Sequence, residues 1–192
     1  MELGEVIRQR RSIRRFKQQD VPTEMLRKLI DAARMAPSAA NRQKLRYLAI
    51  NDRNPVKNIF ELTRWAAAVA PKRTPQWGVS APTAFIAVCI PPEKDNLHLI
   101  ADAGAAIQNI LLRAVDNQLG CCWIGAFDRP KANALLFPDG STEVLYLVAV
   151  GYPDETPVQL DCRENDNTSY FLTDDDTLCV PKLTVDDICK FI

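Results

Sequence analysis

Two spacings of apolar residues alternate along this chain, one of three to four residues and one of short unbroken runs, and each predicts a different kind of element. In ELGEVIRQR, at the start, Leu3, Val6 and Ile7 stand at helical spacing. DVPTEMLRKLIDAARMAP predicts a second helix: Leu26, Leu29, Ile30 and Ala33 make one apolar stripe, Pro22 suits the first turn and Pro37 stops it. A polar loop, SAANRQ, follows. LRYLAI (45–50), TAFIAVCI (83–90) and EVLYLVAV (143–150) are mostly apolar runs rich in branched and aromatic residues, which suits strands covered on both faces by helices.

The longest helical stretch, LHLIADAGAAIQNILLRAVDNQLG, is entered past Asn96 and closed by Gly120. It is apolar almost all round, interrupted by Asp102, Gln108, Asn109 and Arg113, which marks a buried central helix and is too polar for a membrane span. Its expected place is the core, with a subunit interface as a further candidate. CCWIGAF reads as a short strand leading into a loop, and Asp128 can cap the helix RPKANALLF. Residues 63–80 predict a lid or an irregular helix crossing the surface. Beyond GYPDETP the composition turns polar and predicts an irregular arm punctuated by Pro153 and Pro157, ending in a capping-box-like start, Thr184 and Asp187, for VDDICKFI. With no repeat and no low-complexity linker, residues 1–192 read as one domain.

Charge narrows the function. Lysines plus arginines number 24 and aspartates plus glutamates 24, so the net charge is zero. Yet residues 8–16, RQRRSIRRF, pack five arginines around Ser12. A nucleic-acid partner calls for a strongly basic domain, so the cluster is a local device. Taken alone, a basic run is a solvated helix end. There is no G-x-G-x-x-G after a strand and no G-x-x-x-x-G-K-[ST], so any phosphate must be held by side chains. Guanidinium groups suit that task because each presents paired donors to an oxyanion. Six scattered cysteines form no C-x-x-C pair and His98 is the single histidine, so zinc-type spacing is absent and no metal is expected. The acidic start lacks a signal-peptide core, which points to free thiols in a reducing cytoplasm. Cys121 and Cys122 read as small packing residues, and His98 as a surface or helix-start residue. The ending CKFI superficially resembles a prenylation box; with Lys190 inside it and no polybasic run upstream, Cys189 reads as a packed thiol.

In order and spacing, RRSIRRF, then APSAANRQ, then DAGAAIQNILLRAVDNQLG running into CCWIGAF, then VAVGYPDE, is similar to the nitroreductase family of FMN-dependent oxidoreductases. The similarity spans about residues 5–155 and extends weakly to the C-terminus. It implies an α+β fold with a mixed, mainly antiparallel sheet flanked by helices, in a homodimer with two FMN sites at the subunit interface. It assigns Arg10, Arg11, Ser12 and Arg14 to the FMN phosphate and ribityl chain, with Arg14 also reaching toward the ring. It assigns Pro37, Ser38, Ala39, Asn41 and Gln43 to the loop that the partner subunit lays against the flavin. Ile124, Gly125 and Ala126 match the turn whose backbone passes the isoalloxazine, where an N–H can bond N5 and a small Gly125 permits close approach. Lys182 resembles the basic residue that completes the phosphate site.

Several positions depart from the family pattern. Lys44 and Leu45 stand where proline and tryptophan are frequent, and Leu183 and Thr184 stand where a second cation commonly follows. LTRWAAAVAP looks like a subgroup with a Trp-Ala pair, and Arg64 and Arg73 are candidates for the pyrimidine edge. The implied chemistry is ping-pong: NADH or NADPH reduces FMN at N5, then an electron-poor acceptor such as a nitroaromatic or quinone enters the same cleft, with no side-chain acid or base required. Trp65, Trp77, Trp123 and Tyr47 are aromatic candidates for stacking on a substrate, with core packing as the alternative for each. A non-enzymatic flavin- or nucleotide-binding protein on the same scaffold is the second hypothesis.

Overall fold

The computed structural model describes residues 1–65, 67–92 and 97–192. Helix α1 (Leu3–Gln9) buries only Val6 and runs into the arginine segment. Helix α2 (Thr23–Arg34) lays Leu26, Leu29 and Ala33 into the core. Pro22 stands just ahead of its first turn, and the helix closes at Arg34, before Ala36, whose helical conformation Pro37 disfavours. Strand β1 (Arg46–Ile50), helix α3 (Arg53–Glu61), strand β2 (Ala84–Ile90), helix α4 (Leu97–Asp116), strand β3 (Gly120–Ile124), helix α5 (Arg129–Leu136) and strand β4 (Glu143–Gly151) follow. The four strands form an antiparallel sheet in the order β1-β2-β4-β3.

Strand alternation sorts the core into two layers. Ala84, Ile86 and Val88 of β2, with Val148 and Val150 of β4, face α2 and α4. Phe85, Ala87 and Cys89, with Leu147 and Ala149, face Ile13, Phe16 and the α3 residues Val56 and Ile59. Double coverage therefore holds for the two inner strands, every residue of β2 being buried. The edge strand β1 buries only Ile50, so its apolar run overstated its coverage. Asp128 does cap α5, its carboxylate accepting the backbone N–H of Lys131 at 3.2 Å.

Helix α4 is central, but only one side is buried: Leu99, Ala103, Ala106, Ile107, Ile110, Leu111 and Ala114 are inside, while Leu97, Ile100, Ala101 and Gln108 face out. It ends at Asp116, four residues before Gly120. Gln118, at φ 60°, makes the left-handed reversal, and Gly120 already belongs to β3. The glycine serves packing instead, since a Cβ there would stand 2.7 Å from Ile13 Cγ1. Gly151 likewise sits against Phe16, where a Cβ would meet Cδ1 at 2.7 Å.

The C-terminal arm is not irregular. Strand β5 (Val158–Cys162) pairs in parallel with β7 (Leu178–Leu183), and β6 (Phe171–Leu172) pairs antiparallel with β7. Only Cys162 of β5 is buried, so the strand left no apolar signature, and its partner lies too far along the chain for local spacing to show. Helix α6 (Val185–Ile188) is a single turn with no buried residue. Thr184 bonds the Asp187 side chain without capping the backbone. Cys189 is consequently exposed, which corrects the packed reading. Residues 63–80 do more than cross the surface: Val69, Arg73 and Ser80 are buried. Ala66 of the Trp-Ala pair and Asn96 ahead of α4 lie outside the described residues.

Candidate functional site

The arginine segment is laid along the sheet as a short ribbon. Ser12 bridges Cys121 of β3, and the Ile13 N–H donates to the Cys121 carbonyl at 2.9 Å. Farther on, the Phe16 N–H reaches the Ser80 carbonyl at 3.0 Å, and the Arg15 carbonyl accepts from the Asp154 N–H at 2.9 Å. Burying Ile13 and Phe16 pins the ribbon, so the arginines between and beside them have fixed starting points.

Their side chains diverge. Arg10 is half-buried, and among the described residues its guanidinium has no ion pair and no hydrogen bond; burial pushes its pKa down. Arg11 is 7% exposed and is already engaged, donating to the Arg10 carbonyl and to Gln159 Oε1 at 2.6 Å. Its Nε has no partner, and burial together with the charge of Arg10 pushes its pKa down too. An arginine keeps its proton under these conditions, so the result is two adjacent, partly desolvated cations with no carboxylate between them. Such a pair is chemically suited to an anion. Arg14 sends its guanidinium 4.8 Å over the ring of Tyr170. Lys182 sits exposed on β7 opposite Asp161; its link to the arginines is indirect, through β5, which carries Gln159.

The loop at 37–43 is built differently. Ala40, Asn41 and Gln43 all have φ near +50°, at 52°, 51° and 48°. Left-handed backbone costs non-glycine residues energy and persists only where the surroundings hold it. The holding groups are present: buried Asp102 of α4 accepts the Ala39 N–H at 3.0 Å, and Ser38 Oγ accepts the Gln43 N–H at 3.1 Å. Gln43 Nε2 donates to Asn41 Oδ1 at 3.1 Å, and both side chains are exposed. Behind the loop lies a cleft of about 250 Å³, lined by Pro37, Ser38, Gln43, Tyr47 and Asp102 among others. Burial, helped by the charge of Asp102, pushes the Tyr47 phenol up to about 12, which keeps it a neutral donor there.

The turn after β3 completes the set. Ile124 is buried, whereas Gly125 and Ala126 are exposed. A Cβ at Gly125 would meet Tyr146 only at 3.7 Å, ordinary contact, so nothing in this chain's own packing demands glycine there. The Arg64 N–H donates to the Ala126 carbonyl at 2.9 Å, and Thr63 bridges Phe127, which straps Arg64 beside this turn. Arg73 is instead buried against Glu155 and Asp176. Trp65 and Trp77 pack on Phe60, as core aromatics do, while Trp123 stands edge-on to Tyr146 at 5.1 Å and stays partly exposed.

Among the described residues no hydrogen bond or ion pair joins the 37–43 loop to the arginine segment. Among the described residues no group of three or more His, Cys, Asp or Glu could hold a metal, and no helix is long and apolar enough to cross a membrane. Cys121 and Cys122 are free and buried; burial lifts the Cys122 thiol to about 11 and the Cys121 thiol further, so both stay protonated and serve packing. Sequence reasoning missed Glu155, Gln159, Asp102 and Tyr170 as partners. Asp102 left a signal, as an acid inside a mostly apolar helix.

Residues 7–152 match the sequence profile of the Nitroreductase family. A Methanothermobacter thermautotrophicus protein, provisionally named an NADH dehydrogenase/NAD(P)H nitroreductase, is 31% identical over 171 residues, covering 86% of this chain and 85% of its own. Two solved structures share the fold. One is a nitroreductase family protein from Clostridium novyi, 28% identical with a TM-score of 0.66, over 80% of this chain and 86% of that one. The other is a Desulfovibrio desulfuricans protein in complex with FMN, 29% identical with a TM-score of 0.65, over 81% and 88%.

Proposed function

The chain belongs to the nitroreductase family, FMN-dependent NAD(P)H oxidoreductases, and we propose that its arginine segment and its strained loop meet across a homodimer to enclose FMN. The observation that carries this reading is the pair Arg10 and Arg11: two neighbouring cations drawn out of water without a counter-charge, one of them carrying an orphaned Nε. A phosphate monoester is the dianion that fits them. Arg10 and Ser12 hold it directly, and Arg11, tied to Gln159, supplies charge from behind. Gly125, free of any packing demand from its own chain, leaves its backbone open to the flavin ring. Lys182 contributes a further cation from β7.

Bound FMN supplies two-electron transfer, in ping-pong order, from NADH or NADPH to an electron-poor acceptor of the nitroaromatic or quinone type. The chain's own part is to orient and to exclude water. Asn41 and Gln43, presented on a loop whose backbone is held by Asp102 and Ser38, reach across to the partner's flavin. The homodimer is supported by the open face of α4, where Leu97 is 81% exposed and Ile100, Ala101 and Gly104 continue the same side. An apolar helix face with small residues suits close packing against a second copy. Six free thiols, five of them buried, suit a reducing cytoplasm.

An anaerobic titration tests the reading. The protein loaded with FMN should be yellow and should bleach on addition of NADH or NADPH, then recover its colour with a quinone. Colour that persists with both nucleotides overturns the enzymatic reading in favour of a flavin-binding protein. Light scattering that finds monomers overturns the shared site.

A further inference from the structure

We propose that Glu155 is a positioning residue for the phosphate clamp: its carboxylate sets the backbone at Arg14 and Arg15, just beyond the Arg10–Ser12 clamp on the same ribbon, and, through Arg73, ties that backbone to the acidic turn between β6 and β7. The proposal rests on the FMN reading above and deepens it.

One oxygen of Glu155 does two things at once. Oε1 accepts the N–H of Arg14 and, at 3.0 Å, the N–H of Arg15. In an extended strand successive N–H groups point to opposite sides, so one oxygen can collect both only where the ribbon bends. At that bend the arginines part: the Arg14 guanidinium goes over Tyr170, while Arg15 goes to Asp176 at 3.4 Å. The direction of Arg14 is thereby decided by a carboxylate 141 residues along the chain.

The other oxygen faces Arg73. Glu155 Oε2 and Arg73 Nε lie 3.2 Å apart with both side chains 4% exposed. They are close enough to attract but misaligned for a hydrogen bond, and neither atom has another partner. Arg73 also donates to the Asp176 carboxylate at 2.9 Å and to the Asp176 carbonyl. A buried ion pair is a poor source of stability, because desolvation of both charges offsets their attraction. What this pair does deliver is geometry, since it joins the arginine ribbon, the 67–80 segment and the arm at one buried point. The clamp and the small C-terminal sheet that carries Lys182 and Gln159 are thus referenced to each other.

Two variants separate positioning from plain charge pairing, read as the ratio of riboflavin to FMN dissociation constants, which isolates the phosphate. E155Q keeps an oxygen at full reach for both N–H groups but gives up the ion pair with Arg73, which Asp176 still pairs, so the ratio should fall by only about threefold. E155D keeps the charge but withdraws the oxygen by one methylene, so the ratio should fall by roughly tenfold. The reverse order, with E155D milder than E155Q, overturns the proposal, as does a ratio unchanged in both. A wild-type protein that does not distinguish FMN from riboflavin refutes the phosphate reading itself, a different failure that the same titration identifies.

Discussion

The arginine segment and the 37–43 loop are two ways of building half a site. The first is bolted down: backbone bonds to β3, Ser80 and Asp154, two buried apolar side chains and the Glu155 carboxylate leave it little freedom. The second is exposed and strained, with three left-handed residues held by Asp102 and Ser38. The difference follows from what each half must do. An anion clamp needs cations kept at short spacing despite their repulsion, which only a rigid backbone provides. A surface that serves a second subunit must project outward, and projection leaves its residues exposed.

The comparison breaks first at Arg10. R10A should weaken FMN binding by about 10- to 100-fold, the loss of a charge-assisted contact, and should leave riboflavin nearly unaffected in a flavin fluorescence titration. Unchanged FMN affinity would mean that the phosphate lies elsewhere. A second test asks whether the bolted half needs its close packing. G120A places a Cβ 2.7 Å from Ile13 and should lower stability by about 1–3 kcal/mol in urea unfolding. G125A meets only Tyr146 at 3.7 Å and should change stability by less than about 0.5 kcal/mol, so that any effect on FMN binding reports the ligand alone. Equal destabilisation by the two would erase the distinction. The smallest effect belongs to the loop. A40G removes left-handed strain at φ 52° and should raise stability by about 0.5 kcal/mol, with the riboflavin-to-FMN ratio unmoved. A shift in that ratio would show that the loop acts on the phosphate clamp.

Much of the frame was legible. The 3.6-residue stripe of α2, the unbroken runs of β2 and β4 and the cap at Asp128 all appear where the spacing placed them, because the pattern that marks each of these elements is carried by residues a few positions apart. Gly120 was misread because a glycine after a helix has two physical uses, reversing the chain and admitting a close neighbour; only the position of Ile13 distinguishes them. The arm was missed for a related reason. Its first strand is mostly exposed and carries no apolar rhythm, and a parallel pairing such as Val158 with Cys179, far apart along the chain, has no local trace.

By itself the sequence determined the class of sheet and helices, the basic segment and the absence of nucleotide-binding glycine motifs, since all of these are properties of short stretches. Tertiary structure alone decided which arginine is free for an anion. Arg10 and Arg11 are adjacent and chemically identical, yet one meets Gln159, 148 residues away, and the other meets nothing among the described residues. A long, flexible cation takes its role from the partner within its reach, and which partner that is depends on chain segments that only folding brings together.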